Sequence, residues 1–107
     1  MEYKTTISGI RRTSTSLREL TLRREEDVQA TASRLEAAAK RANYWISADG
    51  RIGEADAAAL LGLTAGSLAN KRREGTAPCA YELGGGRHRV TYRITDVARW
   101  IEAHRDR

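Results

Sequence analysis

The sequence predicts a mainly helical fold with a small β-hairpin near the C-terminus and a long helix near the N-terminus. Three observations predict it. Residues 23–46 repeat apolar side chains at helical spacing, residues 54–73 contain two shorter helical stretches, and alternating residues flank a triple glycine further on. The chain has 107 residues, enough for one domain or for one domain plus an arm. Hydrophobic residues make up 40% of it and phenylalanine is absent, so the core must rest on Leu, Ile, Val and Ala.

Composition excludes several classes of protein. No apolar run approaches the ~18 residues that a membrane span needs, and the N-terminus lacks the apolar centre of a signal peptide. A single cysteine, Cys79, excludes an internal disulfide framework and a cysteine-rich zinc site. We therefore expect a soluble, cytoplasmic protein with no membrane partner. The net charge of +5, carried mostly by arginine, suggests a polyanionic partner.

The first 46 residues are predicted to hold an arm and a helix. Residues 1–22 form an irregular arm in this prediction, and residues 23–46 form one helix, in which Glu25–Asp27 meet the positive end of the helix dipole. The apolar stripe of that helix comprises Val28, Ala32, Leu35, Ala39, Ala42 and Ile46. Two interpretations stay open: the stripe packs on the chain's own domain, or it mediates self-association as a dimer or cooperative array.

Residues 47–107 are predicted to form the second unit. Its elements are the helices Glu54–Leu61 and Ala65–Arg73, the strands Ala80–Leu83 and Arg89–Ile94 on either side of Gly84–Gly86, and a last helix from Thr95 to His104. Thr64 is expected to cap the second helix and Gly75 to end it. Within the second strand, apolar residues alternate with Arg89, Thr91 and Arg93, which predicts one apolar face and one cationic face.

Two short helices joined by a turn that contains glycine are typical of the helix-turn-helix motif. Ala58 is small where the helices would cross, and Gly62 supplies the turn conformation. Leu63 would plug the core below the turn, and Leu68 would be the inward residue of the second helix. An ordinary pair of antiparallel helices is the alternative for the same pattern.

The second helix and the hairpin carry the candidate binding residues. If Leu68 faces inward, a rotation of ~100° per residue turns Ser67, Asn70 and Arg73 outward. Such a face suits a DNA major groove, in which Asn pairs with adenine and Arg with guanine. Arginines at the hairpin tip suit phosphates or a minor groove. The predicted DNA-binding residues are Thr64, Ser67, Asn70, Lys71, Arg72, Arg73, Arg87, His88, Arg89 and Arg93.

A family resemblance covers about residues 51–104. It is carried by Ala58–Thr64, Ser67–Leu68, Arg72, Gly75, Pro78, Tyr92–Val97 and Trp100–Ile101. These segments resemble the excisionase-type winged helix-turn-helix domains, which are similar to the DNA-binding heads of MerR-type regulators. The resemblance implies that the second helix and the wing bind double-stranded DNA and that Tyr92 and Trp100 are structural. Lys71 departs from the family, which commonly has an aromatic residue there.

The resemblance implies a mobile-element protein of phage or plasmid origin, either an excisionase-like factor in DNA recombination or a regulator of transcription. A recombinase or a polymerase would then be a further partner. A DNA-recognition subunit like those of small terminases belongs to the same group, and a protein-interaction adaptor is the alternative of a different class. Catalysis is not expected, because His88 and His104 lie near no nucleophile and Cys79 is expected to be small, buried or half-buried. No cofactor or metal site is predicted.

Overall fold

The structure, a computed structural model, describes residues 16–83, 86 and 88–106. These residues are mainly helical, with four helices and a small three-stranded antiparallel sheet. In chain order the elements are α1 (Leu17–Arg41), β1 (Arg51–Gly53), α2 (Glu54–Leu61), α3 (Ala65–Glu74), β2 (Ala80–Glu82), β3 (Val90–Arg93) and α4 (Ile94–Ala103). The predicted helical fold with a small hairpin is confirmed, and β1 joins the hairpin as an unexpected third strand.

Helix α1 begins earlier than the apolar pattern predicted. Ser16 caps it through a capping box: its side chain accepts a hydrogen bond from the backbone N–H of Glu19 at 3.1 Å, and its own N–H donates to Glu19 Oε1 at 3.2 Å. Because this box satisfies two otherwise unpaired donors, residues 17–22 are helical, and their assignment to an irregular arm is wrong. The helix ends at Arg41, short of residue 46, and the chain leaves through Asn43 in a left-handed conformation. Residues 1–15 of the predicted arm lie outside the described residues.

The apolar stripe of α1 packs on the chain's own domain. Val28, Ala32 and Ala39 are buried, and Leu35 is half-buried against the same core. Most of this contact is with α4. The first interpretation, packing on the chain's own domain, is therefore confirmed for these four residues, whereas self-association of the chain stays a prediction.

Helices α2 and α3 are joined by residues 62–64, as predicted. Gly62 ends α2 with a φ of 76°, a left-handed conformation that glycine adopts without steric cost. Thr64 then caps α3, since its side chain accepts a hydrogen bond from Ser67 N at 3.0 Å. Ala58 and Leu68 are both buried, which confirms their predicted inward positions. Gly75 ends α3, again as predicted.

The sheet has the strand order β1-β3-β2, with every pair antiparallel. Ile52 of β1 pairs with Tyr92 of β3, and Tyr81 of β2 pairs with Thr91 of β3. The expectation that β3 buries one face only is wrong, because Thr91 is as deeply buried as Tyr92. Its hydroxyl accepts a hydrogen bond from Arg51 Nη1 at 2.8 Å, so side chains of neighbouring strands cover the second face.

Helix α4 starts at Ile94, one residue before the predicted start at Thr95, and no side chain caps it. Its buried residues Val97 and Ala98 complete the core around Ile52 and Tyr92. Trp100, which the family resemblance implies to be structural, is half-buried. Its indole N–H donates to the carbonyl oxygen of Thr76 at 2.8 Å, which ties α4 to the segment that follows α3.

Candidate nucleic-acid interface

The exposed face of α3 carries three of the predicted binding residues. Ser67, Asn70 and Arg73 are all exposed and follow one another at intervals of three residues, which places them in one row along the helix. Asn70 Oδ1 accepts a hydrogen bond from Arg73 Nη2, so the amide and the guanidinium are held side by side. The row therefore presents a hydroxyl, an amide and a guanidinium to solvent, and these are groups that read base edges or phosphates.

Arg72 lies beside this row but faces the domain. Its Nε donates to Glu54 Oε2 at 2.9 Å and its Nη1 to Glu82 Oε2 at 3.3 Å, and only 23% of its side chain is exposed. The hydroxyl of Tyr92, a fully buried residue, donates to the same Glu54 oxygen at 2.7 Å. This cluster links α3 to α2, β2 and β3. Arg72 thus fixes the rotation of α3 about its axis, and its guanidinium is already engaged by two carboxylates.

The electrostatics of the cluster follow from its partial burial. Burial raises the pKa of Glu54, but the hydrogen bonds from Arg72 and Tyr92 outweigh that effect and hold the pKa below its usual value. The pKa of Tyr92 is raised well above its usual value, first by burial and then by the hydrogen bond to Glu54. Glu54 is therefore the ionised acceptor on which two donors from different elements converge.

The remaining α3 residues have mixed positions. The hydroxyl of Thr64 is used as the helix cap, and Lys71 is half-buried. Lys71 and its two arginine neighbours also lie in the last turn of α3, where positive charge meets the negative end of the helix dipole. Their clustering therefore has a structural explanation.

The hairpin tip is anchored to the outer face of the sheet. The imidazole of His88 stacks on Trp45 with 3.9 Å between ring centroids and an interplanar angle of 11°. The same ring rests over Gly53, where an added Cβ would come within 3.4 Å of Nδ1. His88 is thus half-buried, whereas Arg89 beside it is exposed. Arg87, predicted to accompany them, lies outside the described residues.

Arg93 belongs to a second charged cluster, on the same outer face. Its Nη2 donates to Asp49 Oδ2 at 3.2 Å, and its guanidinium lies 5.0 Å from the ring centroid of Tyr81. Arg51, its partner across the β1–β3 pair, also binds Asp49, at 3.0 Å. Hydrogen bonds from Ser47 and Arg51 hold the pKa of Asp49 well below its usual range. The structure thus brings together a set that the sequence analysis did not predict, comprising Trp45, Asp49, Arg51 and Tyr81.

Metal ligands, the cysteine and membrane-spanning helices are the remaining features to report for the described residues. They contain no group of three His, Cys, Asp or Glu side chains placed to hold a metal ion. Cys79 is exposed, so the expectation that it is buried or half-buried is wrong. Across the described ranges, no helix combines the length and the apolar character that crossing a bilayer requires.

Comparisons of the chain with family models, with curated proteins and with solved structures found no match.

Proposed function

We propose that this chain is a sequence-specific double-stranded DNA-binding protein of the winged helix-turn-helix type. Helix α3 enters the major groove in this proposal, and the β2–β3 hairpin acts as a wing on the backbone or in the minor groove. The observation that carries the proposal is the row of Ser67, Asn70 and Arg73 on a helix whose rotation Arg72 fixes. A binding site on a rigidly oriented helix can present its side chains in one register to a groove.

The charge balance of this part of the chain supports contacts with the phosphate backbone of DNA. Between positions 71 and 93 the chain has six basic and two acidic residues. Arg72 and Arg93 are neutralised by carboxylates within the domain. Lys71, Arg73, Arg87 and Arg89 then remain as the candidates for contact with phosphates and bases. Three or four such contacts give a slope of log affinity against log salt of roughly −3 to −4.

The finer proposal follows from the family resemblance. It is that the protein is a phage or plasmid factor, excisionase-like or regulating transcription, which acts in the cytoplasm without catalysis and meets a recombinase or polymerase on DNA. A small-terminase-like DNA-recognition subunit is the nearest alternative with the same surface. A protein-interaction adaptor would use the same fold without DNA.

The test is selection of binding sites from a randomised duplex library, followed by affinity measurements over a range of salt concentrations. Asn70→Ala should reduce discrimination between the selected site and its variants by about 1–3 kcal/mol, because one base-reading group is lost. Replacing both Arg87 and Arg89 by Ala should instead weaken all sequences alike and flatten the salt slope by about one per lost phosphate contact. Arg34→Ala, which removes an exposed arginine from α1, is the matched control and should change neither quantity.

Two outcomes would contradict the proposal. If no duplex is enriched and the affinity for random DNA does not depend on salt, the protein does not bind DNA through this surface. If Arg34→Ala weakens binding as much as the loss of the hairpin arginines, the interaction is a general effect of positive charge.

A further inference from the structure

Trp45 lies in a segment that the domain holds in place between α1 and β1. Immediately before it, the N–H of Tyr44 donates to a carbonyl oxygen in the last turn of α1 at 3.0 Å. Immediately after it, Ile46 packs against the hydrophobic core, and Ser47 N donates to Arg51 O at 2.9 Å. The side chain of Trp45 itself remains 41% exposed. The indole is therefore a fixed platform at the surface.

His88 packs on this platform from the hairpin. Its imidazole lies parallel to the indole of Trp45, with 3.9 Å between the ring centroids. Nδ1 of His88 is shielded from solvent and has no hydrogen-bond partner among the described residues. Gly53 is buried next to the ring and leaves room for it, since an added Cβ would lie 3.4 Å from Nδ1. The imidazole therefore serves here as a flat packing surface.

The position of His88 determines where Arg89 lies. The backbone N–H of Arg89 donates to Gly86 O at 3.3 Å, and its carbonyl oxygen accepts from Leu83 N at 3.1 Å. Its side chain is exposed and forms no ion pair with another described residue. Positions 84–86 are three consecutive glycines, and glycine loses more conformational freedom on folding than any other residue. A contact that holds His88 therefore also holds an arginine that short strands and a glycine run would otherwise have to place.

We propose that Trp45 is a positioning residue for the β2–β3 wing. Its stacking on His88 holds Arg89 where the guanidinium meets the phosphates of double-stranded DNA. His88 then contributes through the position of the wing and not through a contact of its own with DNA. A binding element that is held in its bound conformation loses less conformational entropy on binding, which raises the affinity. This inference rests on the proposed function, and it adds a residue outside the range 51–104 of the family resemblance.

The expected effect on affinity follows from the population of molecules whose wing is in place. The apparent affinity falls with that population, because only those molecules are competent to bind. One aromatic stack changes such a population about 2- to 10-fold. Trp45→Ala and His88→Ala should therefore each raise the Kd of every duplex by about 2- to 10-fold, without changing selectivity, since phosphate contacts carry no sequence information. The double variant should bind no more weakly than either single variant, because both changes remove the same stack.

Two conservative variants separate positioning from direct contact. Trp45→Phe and His88→Phe both keep an aromatic ring for the stack, and the second has no ring nitrogen that could bind DNA. Both should therefore keep the wild-type Kd to within about 2-fold. His104→Ala is the matched control, because it removes the second His–Trp pair of the described residues, in which His104 and Trp100 have ring centroids 4.3 Å apart. It should leave the Kd unchanged.

Proton NMR at constant pH detects the stack without DNA. The ring current of the indole shifts the imidazole resonances of His88 upfield, and this shift should disappear in Trp45→Ala. It should persist in His104→Ala. Because His88→Ala leaves the segment around Trp45 intact, it tests the same stack even if Trp45→Ala lowers the stability of the domain.

Two results would overturn this inference while the wild type still binds DNA. If His88→Phe weakens binding as much as His88→Ala, the imidazole contacts DNA directly. If Trp45→Ala releases His88 by NMR but leaves the Kd unchanged, the position of the wing does not matter for binding. If the wild-type chain binds no duplex at any salt concentration, the proposed function itself fails and the positioning role fails with it.

Discussion

Glu54 is the residue whose loss should reveal how the exposed row of α3 is held in place. Glu54→Gln keeps the size of the side chain and an oxygen that can accept from Tyr92, but it removes the charge that pairs with Arg72. The three residues connect α2, α3 and β3, so the substitution should loosen α3 without emptying any part of the core.

The expected magnitude follows from the exposure of the pair. Exposed ion pairs contribute about 0–1 kcal/mol, whereas breaking a fully buried pair costs about 3–5 kcal/mol. The side chains of Arg72 and Glu54 are 23% and 19% exposed, which lies between these limits. We expect the free energy of unfolding to fall by about 2 kcal/mol, and the melting temperature of a domain of this size to fall by roughly 8 °C.

Urea denaturation followed by circular dichroism is the assay, with Glu36→Gln as the control. Glu36 pairs with Lys40 at 3.0 Å on the surface of α1, and both side chains are more than half exposed, so its loss should cost less than about 0.5 kcal/mol. The reasoning is refuted if the two variants lose the same small amount of stability, because Arg72 would then be paired no more tightly than a surface side chain.

The same variant has a defined pH dependence. Because the pKa of Glu54 is lower in the folded state than its usual value of 4.5, its stabilisation is complete above that value and is lost as the pH falls through the folded-state pKa. The difference in stability between wild type and Glu54→Gln should therefore shrink below about pH 4.5. A difference that stays constant into the acid range would mean that the charge of Glu54 contributes nothing.

Three further predictions concern single side chains. Trp45→Ala should remove the stacking of His88 on Trp45 and speed hydrogen exchange of the Arg89 amide, whereas Trp45→Phe should keep most of the protection. Equal exchange rates in the wild type and both variants would show that this stacking does not anchor the hairpin tip. Gly62→Ala should lower the free energy of unfolding by about 1 kcal/mol or more, because Gly62 has a positive φ. Gly66→Ala, in open space within α3, should raise it by up to about 1 kcal/mol. Melting temperatures of the two variants that shift in the same direction would contradict this conformational argument. The pKa of Tyr92 is raised above its usual value of 10.0, so the stabilisation that its hydroxyl provides is complete below pH 10.0 and should be lost as the pH rises further. If the free energy of unfolding in urea falls equally over this alkaline range for the wild type and for Tyr92→Phe, the prediction is wrong.

Local signals predicted the second half of the fold well. Gly62, Thr64 and Gly75 each have a conformational or capping role that a short window of sequence reveals. At the start of α1 a similar signal, the Ser16–Glu19 capping box, is present, but the prediction rested on the acidic cluster at Glu25–Asp27 alone. The apolar periodicity weakens before Val28 because the first turns of α1 have no core to pack against.

Strand β1 was missed for a different reason. It has three residues, only Ile52 among them is large and apolar, and its neighbour Gly53 weakens any strand propensity. Its pairing with β3 forms across about 40 residues of chain. No local window contains the information that a partner strand exists.

The candidate site shows how far charge can be interpreted from sequence. Helical rotation predicted correctly that Ser67, Asn70 and Arg73 are exposed, because position on a helix depends on nearby residues. Arg72 was predicted to bind DNA as well, but its partners Glu54 and Glu82 are set by tertiary structure, 18 and 10 residues away. Counting basic residues therefore overestimates the charge that is free to meet an anion. To predict how DNA affinity depends on salt, one needs to know both which basic side chains face outward and which of them are already paired with carboxylates.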